Sequence, residues 1–237
     1  KNYQSEGKSI IHQNVRLFKS GIGLFYSGKL HEHLNNYDES LSYSGAESEI
    51  LIHHVGYLPE VVIDRDKNRR NHEIMVKELE ENPTGYSYFN MAMVYMSDEV
   101  YDKALDMFKK AYNLSKEKAY IKGLLVRMGE CLIFLDRYEE GINLMLDAIN
   151  VFPDYTDLHY TLGMLYYNAR YLRDTEAEFL KCLSLGNNKV QTITTEGVGN
   201  YLAEYRLAKI CEKRGKFGEA FDGAFKALMG NKNFYPA

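Results

Sequence analysis

Tryptophan is absent from this chain of 237 residues, and cysteine occurs only three times. Cys131, Cys182 and Cys211 are odd in number and each lies in a stretch of helical period, so they do not suggest a disulfide framework. They read instead as buried free thiols in a reducing cytoplasm, which is where the chain is expected. Charge of one sign is also scarce. A formal net charge of −4 offers nothing to a polyanion, so no nucleic-acid partner is expected. Every long apolar run is broken within a few residues, which excludes a transmembrane helix. The opening stretch KNYQSEGKSI lacks the apolar core of a signal peptide. It also lacks an initiator Met, which implies a chain processed or cut from a longer one. Tyrosine, by contrast, is abundant at 20 residues. Tyr95, Tyr101, Tyr138 and Tyr166 take helix-packing positions, with hydroxyls directed to solvent or backbone. An apolar fraction of 45% and a charged fraction of 26% are ordinary for a globular chain of one or two domains.

One residue pattern recurs four times in the C-terminal two-thirds. Ala92, Gly129, Gly163 and Ala208 are equivalent small residues, each preceded by an apolar one (Met91, Met128, Leu162, Leu207). Further along each unit come Tyr95, Leu132, Tyr166 and Cys211, and then Ala104, Gly141, Thr175 and Ala220. Phe108, Met145, Phe179 and Ala224 follow, and Ala111, Ala148, Cys182 and Ala227 close the pattern. Small residues sit where two helices cross closely, and large ones fill the gap. This resembles the tetratricopeptide repeat. The small residues are spaced 37, 34 and 45 apart, so one interval matches that family's period and two carry insertions.

The repeats are expected over about 85–118, 121–154, 155–188 and 200–233, with Pro153 at an inter-repeat turn. The stretch 187–199, NNKVQTITTEGVG, accounts for the long third interval as a loop or a lengthened helix start. Residues 64–83 read as a connecting helix with Ile74, Met75, Val76 and Leu79 on its apolar side, closed by Pro83. Its basic run, Arg65, Lys67, Arg69 and Arg70, reads first as a solvated face and second as a phosphate site. Residues 1–63 differ. Ile10 to Phe18, Leu24 to Tyr26, Leu30 to Leu34 and Ile50 to Ile52 read as short strands, with a polar loop over Asn35 to Gly45. So thin a core does not make a free-standing enzyme.

Two clusters carry candidate chemistry. Asp64-Arg65-Asp66 follows the apolar Val61-Val62-Ile63 and offers hard oxygens to Mg²⁺ or Mn²⁺. The same residues also suit the N-terminus of a charged helix, and that reading takes precedence. His31-Glu32-His33 places two imidazoles on one face of a strand, and His53-His54 follows later. Taken alone, these are structural histidines. The runs Arg16-Leu17-Phe18-Lys19, Gly28-Lys29-Leu30-His31-Glu32 and Ile52-His53-His54-Val55-Gly56-Tyr57 come in order. Lys67-Asn68-Arg69-Arg70-Asn71 and Glu78-Leu79-Glu80-Glu81-Asn82-Pro83 come after them. Together they resemble the end of a bacterial family 2 (GT-A type) glycosyltransferase catalytic domain running into tetratricopeptide repeats, a build similar to the sublancin S-glycosyltransferase type. The resemblance implies that His31 lies near a nucleotide-sugar diphosphate and its divalent metal, with Glu32 beside it and Arg16 on the preceding strand. The donor-binding first half, the acidic metal loop and the usual general base are not in this chain. Donor and Mg²⁺ or Mn²⁺ would therefore belong to the intact parent, with none bound to this fragment, which alone is expected to be inactive.

The first helices of successive repeats should line a concave groove. The pattern places Phe89, Met93 and Met96 there, then Val126, Glu130, Ile133 and Phe134. Tyr160, Met164 and Tyr167 follow from the third repeat, and Tyr205, Lys209 and Glu212 from the fourth. The Lys and Asn positions that clamp a chaperone's terminal carboxylate in some such arrays are not matched. Such a groove suits an apolar or amphipathic segment. The segment belongs to a protein or peptide acceptor, to a second copy in a homodimer, or to the chain itself. The expected fold is thus mainly α: a superhelix of about four helix pairs over 84–237, behind the 64–83 helix and a β-rich remnant over 1–63. Two functions follow: the C-terminal region of a sugar-transferring enzyme, or a non-catalytic tetratricopeptide adaptor.

Overall fold

In the computed structural model, the described residues are 2–3, 9–11, 18–27, 33–37, 65–114, 120–188, 194–232 and 234. Pro83 ends the first helix, α1 (Arg65–Glu81), and Thr84 restarts the chain as an N-cap. The Thr84 side chain accepts from the Ser87 backbone N–H at 3.2 Å, and the Ser87 hydroxyl accepts from the Thr84 N–H at 2.7 Å. That reciprocal capping box satisfies two otherwise orphaned donors at the start of α2 (Gly85–Ser97). Antiparallel neighbours follow: α3 (Tyr101–Leu114), α4 (Ile121–Phe134), α5 (Tyr138–Val151), α6 (Thr156–Asn168), α7 (Leu172–Leu185), α8 (Tyr201–Lys213) and α9 (Phe217–Gly230). Each helix packs on the next, and α4 also touches α6, as stacked first helices should. The fold agrees with the sequence expectation of helix pairs behind a connecting helix.

The small residues do what the pattern requires. Ala92, Gly129, Gly163 and Ala208 are all buried at helix crossings. Gly141 is the tightest of the repeat glycines, since a Cβ there would stand 2.5 Å from Leu165 Cδ2. Phe108, Met145 and Phe179 fill the gaps between paired helices and are fully buried. Met75 anchors α1 against Met91 and Val94 of α2, while Arg69 and Arg70 are solvated. Cys131 and Cys182 are buried free thiols and Cys211 is half-buried. Burial pushes the Cys131 thiol up to about 12.

One recurring device is not visible in the residue pattern. Glu99, Asp136, Arg170 and Gly215 occupy the same place between first and second helix, with φ of 60°, 55°, 67° and 73°. In each unit the N–H of this residue bonds back three residues, to Met96, Ile133, Tyr167 or Glu212. The following N–H bonds back five residues, to Tyr95, Leu132, Tyr166 or Cys211. This is the paired bonding of a Schellman motif, repeated four times.

Five short strands are described: β1 (Asn2–Tyr3), β2 (Ser9–Ile11), β3 (Leu24–Ser27), β4 (His33–Asn36) and β5 (Thr194–Thr195). β3 and β4 form an antiparallel hairpin with Tyr26 opposite Leu34. Of the strand expected over Leu30 to Leu34, His33 and Leu34 are described; they lie in β4, which runs on through Asn35 and Asn36, assigned by the sequence to a loop. β2 lies between β1 and β5, with Ile10 opposite Thr195. The insert between the third and fourth repeats therefore ties the N-terminal segment to the array. The strand expected at Ile50 to Ile52 lies outside the described residues.

Candidate protein-binding groove

The first-helix residues that the pattern assigns to a groove fall into separate packing clusters along the array. Phe89, Met93 and Met96 of α2 are half-buried against the first core cluster, with the Phe89 ring 5.7 Å from Phe108 and 5.3 Å from Tyr120. Tyr160, Met164 and Tyr167 of α6 are half-buried above Phe179 and Cys182. Tyr205 of α8 packs beside them, and its ring stands edge-on to Phe234 at 5.3 Å. Cations gather at this end. Arg206 Nε donates to the Tyr160 hydroxyl at 3.2 Å, and Lys213 Nζ sits 3.9 Å from the centre of the Tyr167 ring. Burial works against the charged form of Arg206, yet Tyr160 and its neighbours hold its pKa above the ordinary value. Lys209 is paired with Glu212 at 2.5 Å.

The second repeat contributes differently. Val126 is buried in the core with Leu125, and Ile133 packs on the same cluster. Glu130 accepts from Arg127 at 2.5 Å. Phe134 is exposed at the end of α4 and stacks on Tyr101 of α3 at 4.3 Å. Repeats one, three and four thus supply the half-buried Phe, Met and Tyr row, and repeat two supplies a charged pair between them.

The insert is held against the first turn of α6 by one buried carboxylate. Asp157 Oδ2 accepts from the Thr194 hydroxyl at 2.6 Å and from Asn188 Nδ2 at 2.5 Å. Its Oδ1 accepts from the Thr195 backbone N–H at 2.7 Å. Burial raises the Asp157 pKa, and the donors around it only partly offset that rise. Asn188 also accepts from the Thr156 N–H at 3.0 Å, and the Thr156 hydroxyl donates to the Gly186 carbonyl at 2.7 Å. At the far end, Gly199 lies so close that a Cβ would fall 1.9 Å from the Gly186 carbonyl carbon. Of the segment left open between loop and lengthened helix, the described residues 187–188 and 194–199 are not helical and are pinned by these contacts. A small recess remains where Gly123, Val126 and Arg127 of α4 face Tyr155, Asp157, Thr194 and Thr195.

His31, Glu32, Arg16 and Asp64 lie outside the described residues. Among the described residues, no three His, Cys, Asp or Glu side chains converge as a metal site requires, and no helix is long and apolar enough to cross a membrane. Sequence reasoning missed Asp157 and its donors. The available signal was an acidic residue in the first turn of a helix followed by an Asn- and Thr-rich insert.

Residues 85–118 match the family described as tetratricopeptide repeat, over the first helix pair. None of the curated proteins matches the chain in sequence. Among solved structures, the crystal structure of MamA is similar at 20% identity and a TM-score of 0.55, covering 72% of this chain and 96% of that one. A thermophilic tetratricopeptide protein of Thermus thermophilus is similar at 20% identity and a TM-score of 0.55, covering 70% and 84%. YrrB, a tetratricopeptide protein with an unusual peptide-binding site, is similar at 20% identity and a TM-score of 0.51, covering 70% and 79%. At these identities the likeness establishes the fold, a tetratricopeptide superhelix.

Proposed function

We propose that this chain is a protein-interaction module whose first-helix face holds an apolar or amphipathic segment of another protein. The observation that carries this reading is the set of half-buried Phe89, Met93, Met96, Tyr160, Met164, Tyr167 and Tyr205 on the first helices of repeats one, three and four. Flexible thioethers and amphipathic rings adapt to an irregular partner at low conformational cost. Arg206 and Lys213 at the fourth-repeat end favour a segment that is acidic where it passes them. The peptide-binding site of YrrB, on a similar fold, supports the same use. A peptide library displayed on phage is the direct test. Peptides selected on the intact chain should lose about tenfold or more in affinity with Met93→Glu or Met164→Glu, the effect of removing a central anchor. Unchanged affinity in both variants, with unchanged helicity, would remove the groove from the reading.

The sugar-transfer reading of residues 1–63 rests on the sequence runs around Arg16, His31 and Glu32. There the same groove recruits the acceptor, and the nucleotide-sugar donor and divalent metal belong to the intact parent. Transfer by that parent, abolished by His31→Ala while its thermal midpoint stays nearly constant, is the result this reading requires.

A further inference from the structure

The last of the described helices, α9, presents an apolar side to solvent. Phe217, Phe221, Phe225, Leu228 and Met229 of α9 are all exposed, and they recur every three or four residues along the helix. A neighbouring side of α9, carrying Ala220, Gly223 and Ala227, packs on α8, where a Cβ at Gly223 would meet Ala208 Cβ at 3.0 Å. The exposed row is thus a second apolar face. The repeat pattern says what normally covers it. The places equivalent to Phe221 are Leu105 and Ile142, which are 1% and 6% exposed beneath the following repeat, whereas Phe221 is 71% exposed. In the third repeat that place is Glu176, which pairs with Arg214 of the next unit at 2.6 Å. The places equivalent to Leu228 are Tyr112, Ile149 and Leu183, and each packs against a core cluster. In the inner repeats these two places lie on the stacking side, whereas the places equivalent to Phe225, Leu146 and Leu180, are 41% and 52% exposed there too.

We infer that α9 pairs with α9 of a second copy of this chain, antiparallel about a two-fold axis beside Ala224 and Phe225. Two observations select a second copy. The first is area: at about 200 Å² for a large side chain, the five residues leave roughly 600 Å² of apolar surface bare. Two such faces cover about 1,200 Å², the lower bound for a stable interface, before any flanking residue is counted. The second is charge. With the axis at that position, Phe221 of one copy meets Leu228 of the other, and Asp222 of one lies alongside Lys226 of the other. The α9 face is complementary to itself in both apolar and charged positions.

Sedimentation velocity of the intact chain over a dilution series tests this. The expected result is twice the monomer mass, dissociating on dilution. Phe221→Glu and Phe225→Glu should each give monomers of unchanged helicity, because these side chains are already exposed within one copy. Asp222→Lys and Lys226→Glu should each weaken the dimer, and the double variant should restore it. Should the Glu variants unfold, Phe225→Cys in a Cys211→Ser background reads the same contact, since a residue at the axis cross-links to its own copy. A wild-type monomer at every concentration overturns the proposal. So does a dimer that survives both Phe variants, or a monomer whose α9 is taken up by an added apolar helical peptide. Failure of the double charge variant to recover overturns the antiparallel orientation.

Discussion

His159 is the residue where acidity and fold stability meet. Its Nδ1 lies 2.7 Å from Glu178 Oε2 and its Nε2 lies 2.9 Å from the Pro153 carbonyl oxygen, so the doubly protonated ring satisfies both. Burial disfavours that charged form and Lys181 opposes it too, yet the Glu178 carboxylate and Pro153 carbonyl prevail and raise its pKa. A histidine whose folded pKa exceeds its unfolded value of about 6.5 stabilises fully below that value. The contribution is lost as pH rises through the folded pKa. Thermal midpoints measured from mildly acidic to mildly alkaline buffer should therefore fall across neutrality. His159→Gln, which keeps a donor but cannot ionise, should remove that slope. An equal slope in both proteins would mean that another group sets it.

At the scale of elements, one side chain gathers three of the contacts that hold the insert between α7 and α8. Asp157→Ala would leave the Thr195 N–H, and in part Asn188, without an acceptor in a buried place. The expected cost is about 2–3 kcal/mol, read as a shift in the urea midpoint at constant slope. Protection of the Thr195 amide from hydrogen exchange should fall more than that of amides in α2 and α3. A uniform loss across the array would contradict the local role of Asp157. The helix pairs themselves were legible because small and large residues at fixed offsets report directly on helix crossings, as at Ala92 with Phe108 and Gly163 with Phe179. The four left-handed turns were not, because only Gly215 among Glu99, Asp136, Arg170 and Gly215 announces a positive φ. The same offsets place the expected groove residues on first helices, and burial divides them. Val126 belongs to the core and Phe134 to a stack with Tyr101, since the pattern reports which way a residue points and not what lies over it. The pinned insert was illegible for a different reason. Its hydrogen bonds join Asp157 to Asn188, Thr194 and Thr195, partners more than thirty residues away that no local period relates.

At the scale of the molecule, an array whose units touch mainly their neighbours should respond to mutation as a nearly linear chain of clusters. Ile121 sits in the cluster joining α2, α3 and α4, and Ile210 in the one joining α6, α7 and α8, with no shared neighbours. Ile121→Val and Ile210→Val should each cost about 0.5–1.5 kcal/mol. Their double variant should match the sum within about 0.5 kcal/mol. Gly141 and Leu165 are the contrasting pair, because a Cβ at Gly141 meets Leu165 Cδ2 at 2.5 Å across α5 and α6. Leu165 is fully buried and cannot swing away, so Gly141→Ala should cost about 1–3 kcal/mol alone. In a Leu165→Val background the clash is shortened away, and the double variant should be more stable than the sum by at least about 0.5 kcal/mol. Chemical unfolding of both cycles decides the matter. Coupling between Ile121 and Ile210 as large as that between Gly141 and Leu165 would mean that strain travels the length of the superhelix. A ligand in the groove at repeat one would then be felt at α9.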